Sequence, residues 1–154
     1  MNYVTHPDFL TPSFCRYLIG ILNKDKNPEH YEDGCIITRL YDQAPTHDTI
    51  KILLQRITTF GLENFGTNHY IQDIQVVKRT NMEMVMHKDV EHHVKSLVCF
   101  LNDDYAGGHA IVEDDYIRPE VGTAVVVDGN KVSHGVAPIK GDRYVLLVWW
   151  SLTP

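Results

Sequence analysis

The sequence predicts a mainly β fold with its helices confined to the N-terminal part, and three observations carry that expectation. Two stretches before residue 66 repeat their apolar residues at helical spacing. From about Ile71 onward the period changes, and short runs rich in β-branched and aromatic residues take over. Gly, Pro, Asn and Asp separate those runs at short intervals, as turns require. Two helices packed on a β-sandwich is the economical arrangement, and a jelly roll is its leading form.

Taken in order, Asp8-Phe9-Leu10-Thr11-Pro12-Ser13 leads into a helix with Ser13 as the expected N-cap. Phe14, Leu18, Ile21 and Leu22 share one face of it, and Lys24 to Asn27 followed by Pro28 ends it. Cys35 to Tyr41 is strand-like. A second helix is expected after Pro45-Thr46, carrying Ile50, Leu53, Leu54, Ile57 and Phe60, and fraying near Gly61 or Gly66. Six strands follow: Ile71 to Thr80, Glu83 to Asp89, Lys95 to Leu101, His109 to Glu113, Thr123 to Val127, and Tyr144 to Ser151. The expected organisation is one domain over 1–154, with helical and strand support to about residue 70 and a β core from about residue 71.

At 154 residues the chain can bury a real core without staples. Its hydrophobic and charged contents, 44% and 22%, are those of an ordinary globular protein. A net charge of −6 argues against a nucleic-acid partner, which calls for a basic face. Cys15, Cys35 and Cys99 are odd in number and lack CxxC spacing, so buried free thiols are expected rather than disulfides or a thiolate metal site. The N-terminus lacks the basic and apolar regions of a signal peptide, and no apolar run approaches spanning length. A cytoplasmic protein with no membrane partner is the expectation.

The chemistry concentrates in Met86-His87-Lys88-Asp89 and in Val132-Ser133-His134-Gly135-Val136. On an extended strand His87 and Asp89 point to the same face, and His134 can close a triangle from another strand. Two histidines and one carboxylate on one face of a metal leave the opposite positions open, the arrangement of non-haem Fe(II) oxygenases. Arg143 follows in Gly141-Asp142-Arg143, at the entry to an almost wholly apolar strand. A buried guanidinium there needs a partner. An anionic ligand is one, and a salt bridge to Asp142 or Glu120 is the plain alternative. His92 and His93 compete only weakly as ligands, since adjacent residues point to opposite sides, and a place in a loop or near a substrate suits them better. Glu113-Asp114-Asp115 reads as a solvated turn rather than an ion site.

The chain from about Ile74 to Trp149 resembles the prolyl-hydroxylase-like 2-oxoglutarate/Fe(II) dioxygenases. The carrying motifs are His87-Lys88-Asp89, Leu97-Val98-Cys99-Phe100-Leu101-Asn102, Tyr105-Ala106-Gly107-Gly108, Arg118 to Ala124, Ser133-His134-Gly135-Val136, Gly141-Asp142-Arg143 and Trp149. The resemblance implies a double-stranded β-helix with Fe(II) held by His87, Asp89 and His134. It implies a catalytic set of these three residues and Arg143, which takes the distal carboxylate of 2-oxoglutarate. Val136 and Trp149, with Val98 and Phe100, fall at cosubstrate-pocket positions. The implied reaction hydroxylates a C–H bond, most of all that of a prolyl residue in a peptide or protein, with succinate and CO2 as coproducts. Ascorbate is admitted as an auxiliary reductant.

One feature departs from the pattern. Relatives often place a tyrosine on the strand before the His-x-Asp motif, or on the next one, to hydrogen-bond the cosubstrate. Here Val77 to Val85 contains none and Phe100 takes the later position, so Thr80 or Lys78 is expected to compensate. The missing hydroxyl is the best support for two rivals: a non-enzymatic jelly-roll binding or structural protein with a residual metal site, and a cupin-like metalloenzyme without 2-oxoglutarate.

Overall fold

The structure is a computed structural model and describes residues 2–41 and 47–154. In chain order its elements are β1 (Tyr3–His6), α1 (Pro12–Lys24), β2 (Glu29–His30), β3 (Ile36–Arg39), α2 (Asp48–Phe65), β4 (Tyr70–Thr80), β5 (Met84–His87) and β6 (Lys95–Phe100). There follow β7 (Ala106–Gly107), β8 (Ala110–Val112), β9 (Asp115–Ile117), β10 (Ala124–Val127), β11 (His134–Val136), β12 (Ile139–Lys140) and β13 (Asp142–Ser151). Among the described residues no helix is long and apolar enough to cross a membrane.

Seven strands form the large sheet, in the order β1-β10-β6-β13-β4-β3-β2. A four-stranded sheet, β5-β11-β8-β9, lies across from it, and β12 pairs with β7. This is the jelly roll the sequence leads one to expect. Its long central pair is β13 and β4, antiparallel over their whole length.

Alternation along the central strands sorts side chains to two layers. Tyr144, Leu146, Val148 and Trp150 of β13 join Ile74 and Val76 of β4 and Leu97 and Cys99 of β6 in one apolar layer. The helices cover that layer with Cys15, Leu18 and Leu22 from α1 and Ile50, Leu53 and Ile57 from α2. Val145, Val77, Phe100, Val125 and Val127 form a second cluster on the opposite face, toward the small sheet.

Details differ from the sequence reading in physically clear ways. The N-cap of α1 is Thr11, whose hydroxyl accepts from the Phe14 N–H at 3.2 Å, and not Ser13. Pro12 then takes the first helical position, where its missing N–H costs nothing. Helix α2 runs through Gly61 and ends with Gly66 as its C-cap. A side chain at Gly61 would meet the Trp150 indole at 2.7 Å, so that glycine permits close packing on the sheet rather than fraying the helix. The residues Pro45-Thr46, expected to precede α2, lie outside those described. β1 and β2, which the sequence did not mark, add edge strands to the large sheet. All three cysteines are free and buried.

Candidate active site

A cavity of about 780 Å³ opens between the two sheets, and His87, Asp89, His134 and Arg143 all line it. His87 ends β5 and His134 begins β11, and the two residues are direct partners in the antiparallel register. Their rings lie 4.6 Å apart between centroids. Asp89 lies beyond the end of β5, so the pleat of a single strand does not bring it to His87. Its backbone N–H donates to the Gly129 carbonyl at 2.8 Å, which turns its carboxylate back toward the imidazoles.

The potential ligand atoms of His87, Asp89 and His134 all fall within 4.8 Å of one another. Asp89 Oδ1 is 3.2 Å from His134 Nε2 and 3.6 Å from His87 Nε2. Each histidine spends its other ring nitrogen on the backbone two residues earlier. His87 Nδ1 is 2.9 Å from the Val85 carbonyl, and His134 Nδ1 is 2.8 Å from the Val132 carbonyl. A carbonyl can only accept, so both Nδ1 atoms carry the proton and both Nε2 lone pairs face the shared point. This donor set of two imidazoles and a carboxylate, on one side of a cavity, fits a divalent transition metal with open positions.

The electrostatics agree with the geometry. Burial opposes ionisation of Asp89, yet His134 and His87, whose Nε2 atoms donate to it when the imidazoles are protonated and no metal takes their place, together with the Ser96 hydroxyl, outweigh it and hold the carboxyl far below the usual range. The bond to Asp89 raises the His87 pKa, with burial working against it. Ser96 Oγ donates to Asp89 Oδ2, and any side chain at Gly129 would collide with both of these groups. Ser96 and Gly129 are thus the supports that sequence reasoning missed. Only a glycine in the Asp128-Gly129-Asn130 turn hinted at one of them.

Arg143 is 2% exposed. Its Nε donates to the Gly108 carbonyl at 3.0 Å, and its guanidinium carbon lies 5.5 Å from the centroid of the Phe100 ring. Among the described residues no carboxylate pairs with it; Asp142 instead accepts from Thr80. Burial pulls its pKa down to about 10, so it stays a cation at neutral pH. Gly108 is needed here because a Cβ would meet the Tyr105 ring at 2.6 Å and the arginine stem at 3.2 Å. The Tyr105 hydroxyl, also buried, makes no well-formed hydrogen bond among the described residues; burial raises its pKa, and the nearby Arg143 charge works against that rise.

The remaining expected pocket residues divide. Val98, Val136 and Trp149 line the cavity. Phe100 does not: it is wholly buried beneath the Arg143 guanidinium. Lys78 and Thr80 both turn to Asp142, at 3.9 and 2.7 Å, and the Lys78 ammonium lies over the Tyr144 ring on the helix-covered face. They are therefore not the compensation the sequence suggested. His93 stacks on Trp149 at 5.5 Å and stands apart from the three-residue cluster, while Glu113 and Asp114 form an exposed turn that leads into Asp115 at the start of β9.

No family model and no curated protein matches the sequence. Solved structures do match. A member of the 2OG-Fe(II) oxygenase family from Burkholderia pseudomallei superposes with a TM-score of 0.76 at 18% identity, covering 98% of this chain and 85% of that one. The viral collagen prolyl hydroxylase of Paramecium bursaria Chlorella virus-1, solved as a 2OG complex, gives 0.76 at 18% identity over 98% of this chain and 96% of that one. A Trichoplax adhaerens prolyl hydroxylase, in complex with a hypoxia inducible factor peptide fragment, gives 0.78 at 14% identity over 97% and 83%. At these identities the likeness establishes the architecture, and the chain has the jelly-roll fold of the 2OG-Fe(II) oxygenases.

Proposed function

We propose that the protein is a 2-oxoglutarate- and Fe(II)-dependent dioxygenase that hydroxylates a C–H bond, that of a prolyl residue in a peptide or protein. The single observation that carries this reading is the two-ended cavity. One end holds two imidazole Nε2 atoms and a carboxylate directed at one point, and the other holds a buried guanidinium without a carboxylate. A ligand that chelates a metal at one end and carries a carboxylate at the other satisfies both.

In this reading His87, Asp89 and His134 hold Fe(II), and Ser96 fixes the carboxylate. Arg143 clamps the distal carboxylate of 2-oxoglutarate through charge-assisted hydrogen bonds. Val98, Val136 and Leu147 wall the cavity with apolar surface and exclude water around the reacting groups. The chemistry supplied when iron and 2-oxoglutarate are bound is oxidative decarboxylation to succinate and CO2, coupled to oxidation of a substrate C–H bond. A peptide substrate would enter past His30 to Asp33 on one rim and Met84 on the other. The prolyl choice draws on the neighbours: those from the Chlorella virus and from Trichoplax are both named as prolyl hydroxylases, and the second is in complex with a peptide.

The test is turnover with Fe(II), ascorbate, 2-oxoglutarate and a set of proline-containing peptides. Succinate release and a mass gain of one oxygen on proline are expected. Succinate release without oxidised proline would move the substrate elsewhere, and its absence under all conditions would overturn the dioxygenase reading.

A further inference from the structure

Arg79 of β4 stands directly opposite Arg143 of β13 in the antiparallel register. Opposed positions share a sheet face, and both residues line the cavity. Like charges placed opposite each other on a sheet repel, and here one of them is almost fully buried. Arg79 is among the groups that make the Arg143 charge harder to keep, after burial itself. The fold alone gains nothing from this pair.

The hydrogen bonds of Arg79 leave it half used. Nη1 makes both of its contacts, to Asp33 Oδ2 at 2.9 Å and to Met82 Sδ at 3.6 Å. Nε and Nη2 have no partner among the described residues. The Asp33 side chain is 53% exposed against 12% for Arg79, so the existing ion pair sits on the solvent side of the guanidinium. The other polar cavity residue of β4, Gln75, is already committed to Asp73 at 2.7 Å. Asp33 is the one carboxylate paired with these two guanidiniums, so the three groups together keep a single positive charge; Glu32, also on the cavity wall, is exposed to solvent.

We infer that Arg79 is a second guanidinium contact for the distal carboxylate of the 2-oxo acid, acting beside Arg143 and setting a preference for a dicarboxylate. The Arg79 Nε or Nη2 donates while Nη1 keeps Asp33. The inference rests on the cosubstrate reading above.

The experiment is calorimetry on protein loaded with Mn(II), which binds without turning over. Two ligands are compared: 2-oxoglutarate, and 2-oxopentanoate, which has the same chain but a methyl in place of the distal carboxylate. Arg79→Ala should weaken 2-oxoglutarate by about ten- to a hundred-fold, the scale of a charge-assisted contact, and leave 2-oxopentanoate unchanged. Arg79→Lys should fall between the wild type and Arg79→Ala for 2-oxoglutarate, and it covers the case of a poorly folded alanine variant. Asp33→Asn keeps an oxygen for the local turn but releases Arg79 from its carboxylate, so it should bind 2-oxoglutarate as tightly as wild type or tighter. Equal weakening of both ligands by Arg79→Ala, no weakening at all, or an Asp33→Asn variant that copies the Arg79→Ala loss would each overturn the inference. Wild-type protein that binds Mn(II) but not 2-oxoglutarate would instead overturn the functional reading itself, and the inference with it.

Discussion

The two faces of the seven-stranded sheet are made from alternating residues of the same strands, yet they are built to different ends. On the helix side, Tyr144, Leu146, Val148 and Trp150 meet α1 and α2 in a layer where nearly every side chain is apolar. On the cavity side, one residue away each time, stand Arg143, Val145, Leu147 and Trp149, with Arg79, Gln75 and Ser96 on the neighbouring strands. A fold needs the first face for stability. The second carries buried charge that a purely structural sheet would be better without, since replacing buried ions by apolar groups is often neutral or stabilising. In the reading proposed above, the helix face is a scaffold and the cavity face a site.

Arg143→Met draws the distinction most strongly. In the metal-free protein it should leave stability unchanged or raise it by about 1–4 kcal/mol in urea denaturation. The same change should weaken 2-oxoglutarate by about 2–5 kcal/mol in a binding titration, as expected when one partner of a buried charge pair is truncated. A loss of stability comparable to that of a core deletion would make Arg143 structural. Leu146→Ala, three residues along and on the other face, should do the reverse. It should cost about 2–5 kcal/mol of stability and leave metal affinity intact in the folded protein.

Ser96→Ala tests the support behind the proposed metal ligands. Without its hydroxyl, Asp89 loses a fixed partner, and metal affinity should fall about 10- to 100-fold while the melting temperature barely moves. The smallest expected effect lies on the scaffold. Thr11→Ala removes the N-cap of α1 and should cost about 1 kcal/mol with no change in metal or 2-oxoglutarate binding.

Much of this was legible in the sequence. The change from helical period to short strands after residue 66 marks a jelly roll because the turn residues fall between β-rich runs. The His87, Asp89 and His134 cluster was legible for a partly wrong reason. Asp89 is past the end of its strand, and the fold of the following loop, tied to Gly129, brings it round. Ser96 and Gly129 were not legible, because their contacts with Asp89 join segments far apart in the chain. The side on which the 79–80 stretch points was also hidden. Ile74-Gln75-Val76-Val77 is buried on both faces, so no apolar–polar alternation reveals which residues face the cavity. Only the register with β13 shows that Arg79 faces inward while Lys78 and Thr80 do not.

The central claim, that the cavity face is one site with a metal end and an anion end, is tested most directly by anaerobic titration. Fe(II) is added to metal-free protein and then 2-oxoglutarate, and the visible metal-to-ligand charge-transfer absorption is followed in wild type, Asp89→Ala and Arg143→Met. The account predicts a band in wild type, none in Asp89→Ala, and a band in Arg143→Met that needs far more 2-oxoglutarate to appear. Folded, iron-loaded wild type that shows no band would contradict it, as would an Arg143→Met variant that titrates like wild type.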